Sequence, residues 1–184
     1  GKDVDGLHPV TLQVIKNGQV KTGHHVLPAT AKAVLTSLEN ATESLSWQGD
    51  SLFTKIGDKK IIIIGRSDIL GQPLYALFKN ADLKVEMLGR KDFENRRETG
   101  RFLHDAEIVI SAIGKSGELI GADFKDNVVA IDVGEPRHDF DFDSVSSKAA
   151  FITPVPGGIG PLTVVSLMEN ALELWYNQHP KLKK

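Results

Sequence analysis

The sequence predicts an α/β fold: a Rossmann-like doubly wound parallel sheet with flanking helices. Three observations predict it. Apolar, β-branched runs end in glycine at Ile61–Gly65 (IIIIG), Ile108–Gly114 (IVISAIG) and Val128–Gly134 (VVAIDVG). Near-continuous apolar runs of this kind read as strands buried on both faces, as parallel strands are. Helical patterns alternate with these runs, and strand–helix alternation argues for a parallel sheet covered on both sides. Finally, Thr153–Thr163 (TPVPGGIGPLT) packs three prolines and three glycines into one short run ahead of a long helical pattern. Proline fixes φ and removes N–H donors, while glycine opens conformations closed to other residues, so this run is a rigid loop of nearly bare backbone.

In chain order, Ala31–Leu38 reads as a helix with Thr30 as its N-cap. Asn40–Lys60 is polar and irregular and reads as a surface loop. The strand Ile61–Gly65 leads to a helix after Gly71. Leu83–Gly89 is a less pure strand, followed by a helix over roughly Phe93–Leu103. The strands Ile108–Gly114, Val128–Gly134 and Ala149–Thr153 complete the set. The last helix begins near Pro161, which suits a first turn. In it Val164, Leu167, Met168, Ala171, Leu172 and Trp175 fall on one face, the pattern of a core-facing stripe.

The chain has 184 residues, 41% hydrophobic and 25% charged, with a net charge of −2. That is ordinary for one globular domain with a real core. The charge balance leaves no nucleic-acid footprint. The absence of cysteine excludes disulfides, thiolate metal sites and cysteine nucleophiles. No window is long and apolar enough for a membrane span, and the start lacks signal-peptide character and an initiator Met. The expected location is the cytoplasm.

The chemistry concentrates at the ends of the apolar runs. The first is followed by Gly65-Arg66-Ser67 and Gly71, then Pro73. In a doubly wound sheet this first strand–helix turn is where a pyrophosphate meets a helix N-terminus. Two glycines six apart are also compatible with an ordinary turn. After the second strand comes Gly89-Arg90-Lys91, where an NAD-preferring site usually has Asp or Glu. Arg90, with Arg66, suits a 2′-phosphate, so NADP is the expected cofactor and NAD the alternative. Tyr75 and Lys79 match Y-x-x-x-K, but they lie on the helix leaving the phosphate turn, roughly ten ångströms or more from the strand ends by helix rise. The run His138–Asp143 (HDFDFD) is expected to be a loop pinned by its phenylalanines, and adjacent His24 and His25 have poor geometry for one metal. No metal site is expected.

Taken together, Lys2–Gly6 (KDVDG) with Leu7-His8-Pro9, Pro28-Ala29-Thr30, GRSxxxGxP from Gly65, Ile131–Gly134, Thr153–Thr163 and Leu167–Asn170 resemble one family over nearly the whole chain. It is the bifunctional methylenetetrahydrofolate dehydrogenase/cyclohydrolase family, and the chain is similar to its C-terminal, nucleotide-binding part. The resemblance implies that residues 1–184 form an NAD(P)-binding domain, with inter-lobe elements within 1–30. It implies a two-lobed parent with folate in the cleft, usually a homodimer. Its chemistry would be hydride transfer from 5,10-methylenetetrahydrofolate to NADP⁺, then hydrolysis of the methenyl product to 10-formyltetrahydrofolate.

The resemblance also implies residue roles. Asp5 would hydrogen-bond the pterin, and Pro156, Gly157, Gly158, Ile159 and Gly160 would line the folate and nicotinamide pocket. Gly65, Arg66 and Ser67 would hold cofactor phosphates and ribose, with Gly71 allowing close approach and Thr30 near the nicotinamide. Arg90 stands where the family often has Ser near the 2′-phosphate. Gly114, Gly134 and Glu135, at or just beyond strand ends, complete the cofactor set, although Glu135 brings a negative charge where the family usually has an apolar residue. The family's catalytic Tyr-x-x-x-Lys lies upstream of KDVDG, so no catalytic residue is expected in this chain, the N-terminal catalytic lobe is expected to be absent, and the chain alone is expected to lack turnover. Ala29 and Ala31 replace the family's common Cys and Pro, the segment after Thr30 is longer, and the loop after Gly134 is shorter. Another small-substrate dehydrogenase domain, of shikimate or amino-acid type, and a non-catalytic nucleotide-binding module remain alternatives.

Overall fold

The computed structural model describes residues 2–19, 25–134 and 137–180. Five strands, β1 (Lys60–Ile64), β2 (Lys84–Leu88), β3 (Ile108–Ser111), β4 (Val128–Asp132) and β5 (Ala149–Ile152), each coincide with an apolar run of the sequence. All pairings are parallel and the order is β2-β1-β3-β4-β5. The direction of winding therefore reverses between β1 and β3. Alternation along β1 divides its isoleucines between two cores. Ile61 and Ile63 pack under α2 (Ala29–Ser44), the helix after the short α1 (Pro9–Lys16), and under α4 (Gly71–Asn80). Ile62 and Ile64 pack under α5 (Arg90–Glu98) and α6 (Phe142–Ser146). All four are fully buried, each contributing on the order of 2 kcal/mol of burial.

Several elements differ from their sequence expectation. Helix α2 starts at Ala29, so Pro28 rather than Thr30 is its N-cap. It runs on to Ser44 because Ala41 and Thr42 continue its buried face. The expected surface loop beyond it contains another turn of helix, α3 (Leu52–Lys55), whose Ser51 and Thr54 form a reciprocal cap. That turn lets Leu52 and Ile56 join the core. Helix α5 starts earlier than expected, where Asp92 accepts the Gly89 N–H at 2.6 Å. It stops at Glu98, before Gly100 at φ +70°. The β3–β4 crossover carries only a 3₁₀ turn, Gly121–Asp123. Phe140 is buried edge-on against Phe124, but Phe142 is exposed, so one phenylalanine rather than both pins the acidic run.

The largest reversal is in α7 (Ile159–Gln178). Its expected core stripe faces outward, with Met168 63% and Leu172 57% exposed. The helix instead buries Ser166, Asn170 and Leu174. Asn170 explains this choice. Its amide donates to the carbonyls of Val4 (3.0 Å) and Leu27 (2.8 Å), joining the KDVDG segment and the entry to α2 onto α7. Those two carbonyls would otherwise be left unpaired beside the helix.

A charged network fastens β1 and β2 to α5. Arg96, nearly buried, pairs with Glu86 at 2.6 Å and Asp105 at 3.0 Å, and Lys60 reaches the same two carboxylates. Burial works against the Asp105 charge, but hydrogen bonds from Lys60, Arg101 and Arg96 outweigh it and hold the carboxyl well below the usual range. A depressed native pKa stabilises the fold above the unfolded-state value, and the benefit is lost as pH falls. The stability lost in Asp105→Asn should therefore be full near pH 7 and shrink as pH drops below about 4, the unfolded carboxyl's value. Urea unfolding across that range checks it; a pH-independent difference between the two proteins would show that the charge of Asp105 is not what stabilises.

Candidate functional site

A cleft of about 970 Å³ opens at the C-terminal ends of β1, β3, β4 and β5. This edge, next to the reversal of winding, is where open α/β sheets bind ligands. Three helices start there. Pro28, Leu70 and Gly158, the N-caps of α2, α4 and α7, make no side-chain cap hydrogen bond to their helices. The Ala29 N–H is taken by the Asp5 carbonyl (3.2 Å) and the Gln72 N–H by the Ser67 carbonyl (3.0 Å), and Pro73 and Pro161 have none. The helix dipoles more than free donors therefore make these ends positive, without any cationic side chain.

The turn after β1 forms one wall. Gly65 has φ +125°, and a Cβ there would lie 2.8 Å from the Ala112 carbonyl oxygen. A Cβ on Gly71 would lie 2.0 Å from the Gly65 carbonyl oxygen. Both glycines are thus required for the turn to fold back on itself. Ser67 Oγ accepts the Leu70 N–H at 3.3 Å and lines the cleft. The Pro/Gly loop forms the opposite wall. Thr153 Oγ1 at its start accepts the Asp132 N–H at 2.7 Å. Further along, Gly157 has φ +105° with open space where a side chain would be.

Two buried carboxylates fix the rim. Asp139 accepts from Ser111 Oγ (2.8 Å) and from the N–H groups of Ile113 (2.7 Å), Gly114 (2.8 Å) and Lys115 (3.0 Å). Asp132 accepts from the N–H groups of Gly134 (2.8 Å), Asp139 (2.8 Å) and Phe140 (3.0 Å). Burial pushes both carboxyls above their ordinary range, against the pull of these donors. Asp132 is the one carboxylate among the described residues lining the cleft, and no histidine, lysine or tyrosine lines it. With Asp132 engaged by three backbone donors, the described lining is equipped to hold and orient a ligand.

Of the residues singled out in the sequence, Thr30, Ser67, Gly134 and Pro156–Gly160 meet in this cleft. Gly65 and Gly71 shape its wall. Asp5 lines a small adjoining pocket of about 120 Å³ with Thr30 and Thr163. It is positioned by Gly6 at φ +70°, whose missing Cβ would strike the Leu27 backbone at 2.7 Å. Arg66 faces a separate groove of about 400 Å³ beside β2 and pairs with Asp92 at 2.7 Å. Arg90 lines neither space and pairs with Glu94 at 3.1 Å. Gly114 lines neither as well; its N–H is held by Asp139. Glu135 and His24 lie outside the described residues. Tyr75 packs against the core and Lys79 is exposed, both away from the cleft. Sequence reasoning missed Asp132 and Asp139 as supports; the signal for Asp132 was a carboxylate inside an otherwise apolar strand.

A doubly wound parallel sheet, with a cleft at its switch point ringed by helix N-termini and bare backbone, defines a domain of the dinucleotide-binding class. Residues 28–179 match the family described as tetrahydrofolate dehydrogenase/cyclohydrolase, NAD(P)-binding domain, and the chain belongs to it. It is 37% identical to the bifunctional protein FolD of Lactobacillus gasseri over 97% of this chain and 58% of that protein. In structure it is similar to the FolD methylenetetrahydrofolate dehydrogenase/cyclohydrolase of Campylobacter jejuni, with TM-score 0.79, 31% identity and coverage of 96% of this chain and 59% of that one. The Trypanosoma brucei enzyme, complexed with NADP cofactor and inhibitor, gives TM-score 0.80 at 30% identity, over 97% of this chain and 59% of that one. The chain thus spans just under three fifths of the length of these relatives.

Proposed function

We propose that this chain is the cofactor-binding part of a one-carbon folate enzyme. That enzyme would oxidise 5,10-methylenetetrahydrofolate with NADP⁺ and hydrolyse the methenyl product to 10-formyltetrahydrofolate. The observation that carries the reading is the convergence of three helix N-termini without side-chain caps and the bare Pro/Gly loop on one cleft. Its donors fit a pyrophosphate-linked dinucleotide: the Gly71 N–H, the positive end of the α4 dipole and the Ser67 hydroxyl take the phosphates at the start of α4. Gly157 and its neighbours offer a flat surface for a ring, and Asp5 presents a carboxylate from the side pocket toward a folate. When bound, the nicotinamide supplies the hydride acceptor. This chain's residues orient the partners, and holding two reactants in register makes their reaction effectively unimolecular.

In this reading residues 1–184 are the cofactor domain, with inter-lobe elements within 1–30 and a second lobe that carries the catalytic acid–base groups. The same reading makes the protein cytoplasmic and homodimeric, and the exposed apolar face of α7 is a surface of the kind a second copy covers. The test is a calorimetric titration of the chain with NADP and NAD. Saturable binding of a dinucleotide is expected. No binding of either at millimolar concentration would overturn the assignment.

A further inference from the structure

Beneath one side of the cleft lies charge of a single sign. Gly134, just beyond the end of β4, lines the cleft, and two carboxylates lie against it. Asp139 Oδ1 is 2.9 Å and Asp132 Oδ1 3.0 Å from where a Cβ on Gly134 would stand. A side chain at 134 would displace them, so glycine is what lets both come this close. Every hydrogen bond the two accept comes from a backbone N–H or from the Ser111 hydroxyl. Such donors favour the ionised form without cancelling its charge. Nearby cations are committed or solvated. Lys115 pairs at 3.3 Å with Glu118, whose own charge is felt by Asp139. Arg137 and His138, on the same loop, are exposed, where solvent and salt screen them. The rest of the described lining is apolar or hydroxyl-bearing side chains and backbone, with no further charge. A carboxylate in such a wall acts on a neighbouring charge with little screening.

We propose that Asp132 and Asp139 supply the countercharge for an oxidised nicotinamide ring, so that this cleft distinguishes NADP⁺ from NADPH. The inference rests on the dinucleotide reading above and deepens it. With the phosphates at the start of α4, the ring end of the cofactor falls to the other side of the cleft, where Gly134 and Gly157 lie. The ring is positive before it accepts a hydride and neutral afterwards. The two carboxylates therefore strengthen binding of the oxidised form alone, and the reduced form leaves more readily. A tenfold preference of this kind lowers the potential of the bound cofactor by about 30 mV.

Calorimetric titration of the whole chain with NADP⁺ and with NADPH tests this in the wild type, Asp132→Asn, Asp139→Asn and Asp126→Asn. The wild type should bind NADP⁺ roughly tenfold more tightly than NADPH, a modest share of what a charge pair is worth at an effective dielectric of about 20. Asp132→Asn and Asp139→Asn should each cut that ratio at least about threefold, by weakening NADP⁺ more than NADPH. Asp126→Asn removes an equal charge from the exposed surface, where it pairs with Lys148, and should leave the ratio unchanged. A wild-type ratio near one would overturn the proposal without any variant, so a variant that fails to fold does not shield it. An equal loss for both forms in the two buried variants would also overturn it, leaving Asp132 and Asp139 as supports of the rim while the dinucleotide reading stands. A wild type that binds neither form would overturn both.

Discussion

Replacing Asp139 with alanine should cost about 3 kcal/mol or more of unfolding free energy, because it leaves several buried donors unsatisfied at about 1–3 kcal/mol each. That is a large share of the roughly 5–15 kcal/mol that holds a typical domain together. The side chain is fully buried and accepts four hydrogen bonds, three from backbone N–H groups of the turn leaving β3. Alanine leaves those donors facing a cavity, and unmet buried donors cost more than the bonds themselves contribute. Asp139→Asn separates charge from shape. Its remaining oxygen can serve either the Gly114 and Lys115 pair or the Ser111 and Ile113 pair, but its amide nitrogen then opposes an N–H donor. An intermediate loss is therefore expected. Urea unfolding measures both variants, and amide hydrogen exchange at Ile113, Gly114 and Lys115 should quicken in each. A loss below about 1 kcal/mol in the alanine variant, the size of an ordinary surface change, would mean the turn holds itself without the carboxylate.

Asp139 also shows where sequence reading stopped. The five strands were legible because apolar runs bounded by turn residues leave few alternatives, and their parallel pairing followed from alternation with helices. The cleft was legible because its glycines and prolines carry backbone information in their identity. The Asp139 hydrogen bonds join positions 24 to 28 residues apart, and nothing in HDFDFD distinguishes the clamping aspartate from its exposed neighbours. The face of α7 was misread for a related reason. Periodicity reports which side is apolar, not which side is buried, and the deciding interaction was the reach of Asn170 to Val4 and Leu27, far away in sequence. Likewise Arg66 was read as a free cation, because its ion pair with Asp92 exists only once β1 and β2 lie side by side.

Gly71→Ala should weaken dinucleotide binding by about two orders of magnitude, the equivalent of losing one or two hydrogen bonds to a charged phosphate at about 1.5–3 kcal/mol each. Gly71 is the first residue of α4, where alanine is conformationally welcome, so the cost is steric alone. The added methyl would sit 2.0 Å from the Gly65 carbonyl oxygen and 2.9 Å from its carbon, both backbone atoms. No rotamer change relieves that contact. The turn from Gly65 to Leu70 must swing away from α4, carrying Ser67 out of register with the Gly71 N–H and breaking the Gln72 N–H bond to the Ser67 carbonyl. The swing cannot go the other way, because Gly65 is itself packed on the Ala112 backbone, where a Cβ would come within 2.8 Å. Overpacking of this kind costs about 1–3 kcal/mol in stability, small enough that the variant should fold and its binding can be measured. Gly100→Ala is the matched control: it lies at φ +70° with open space around it, so it carries backbone strain without collision and lies away from the cleft. Calorimetric titration of both variants with NADP should show binding retained in the control and lost or much weakened at position 71. Equal affinities in the two would mean that the β1–α4 turn does not hold the phosphates.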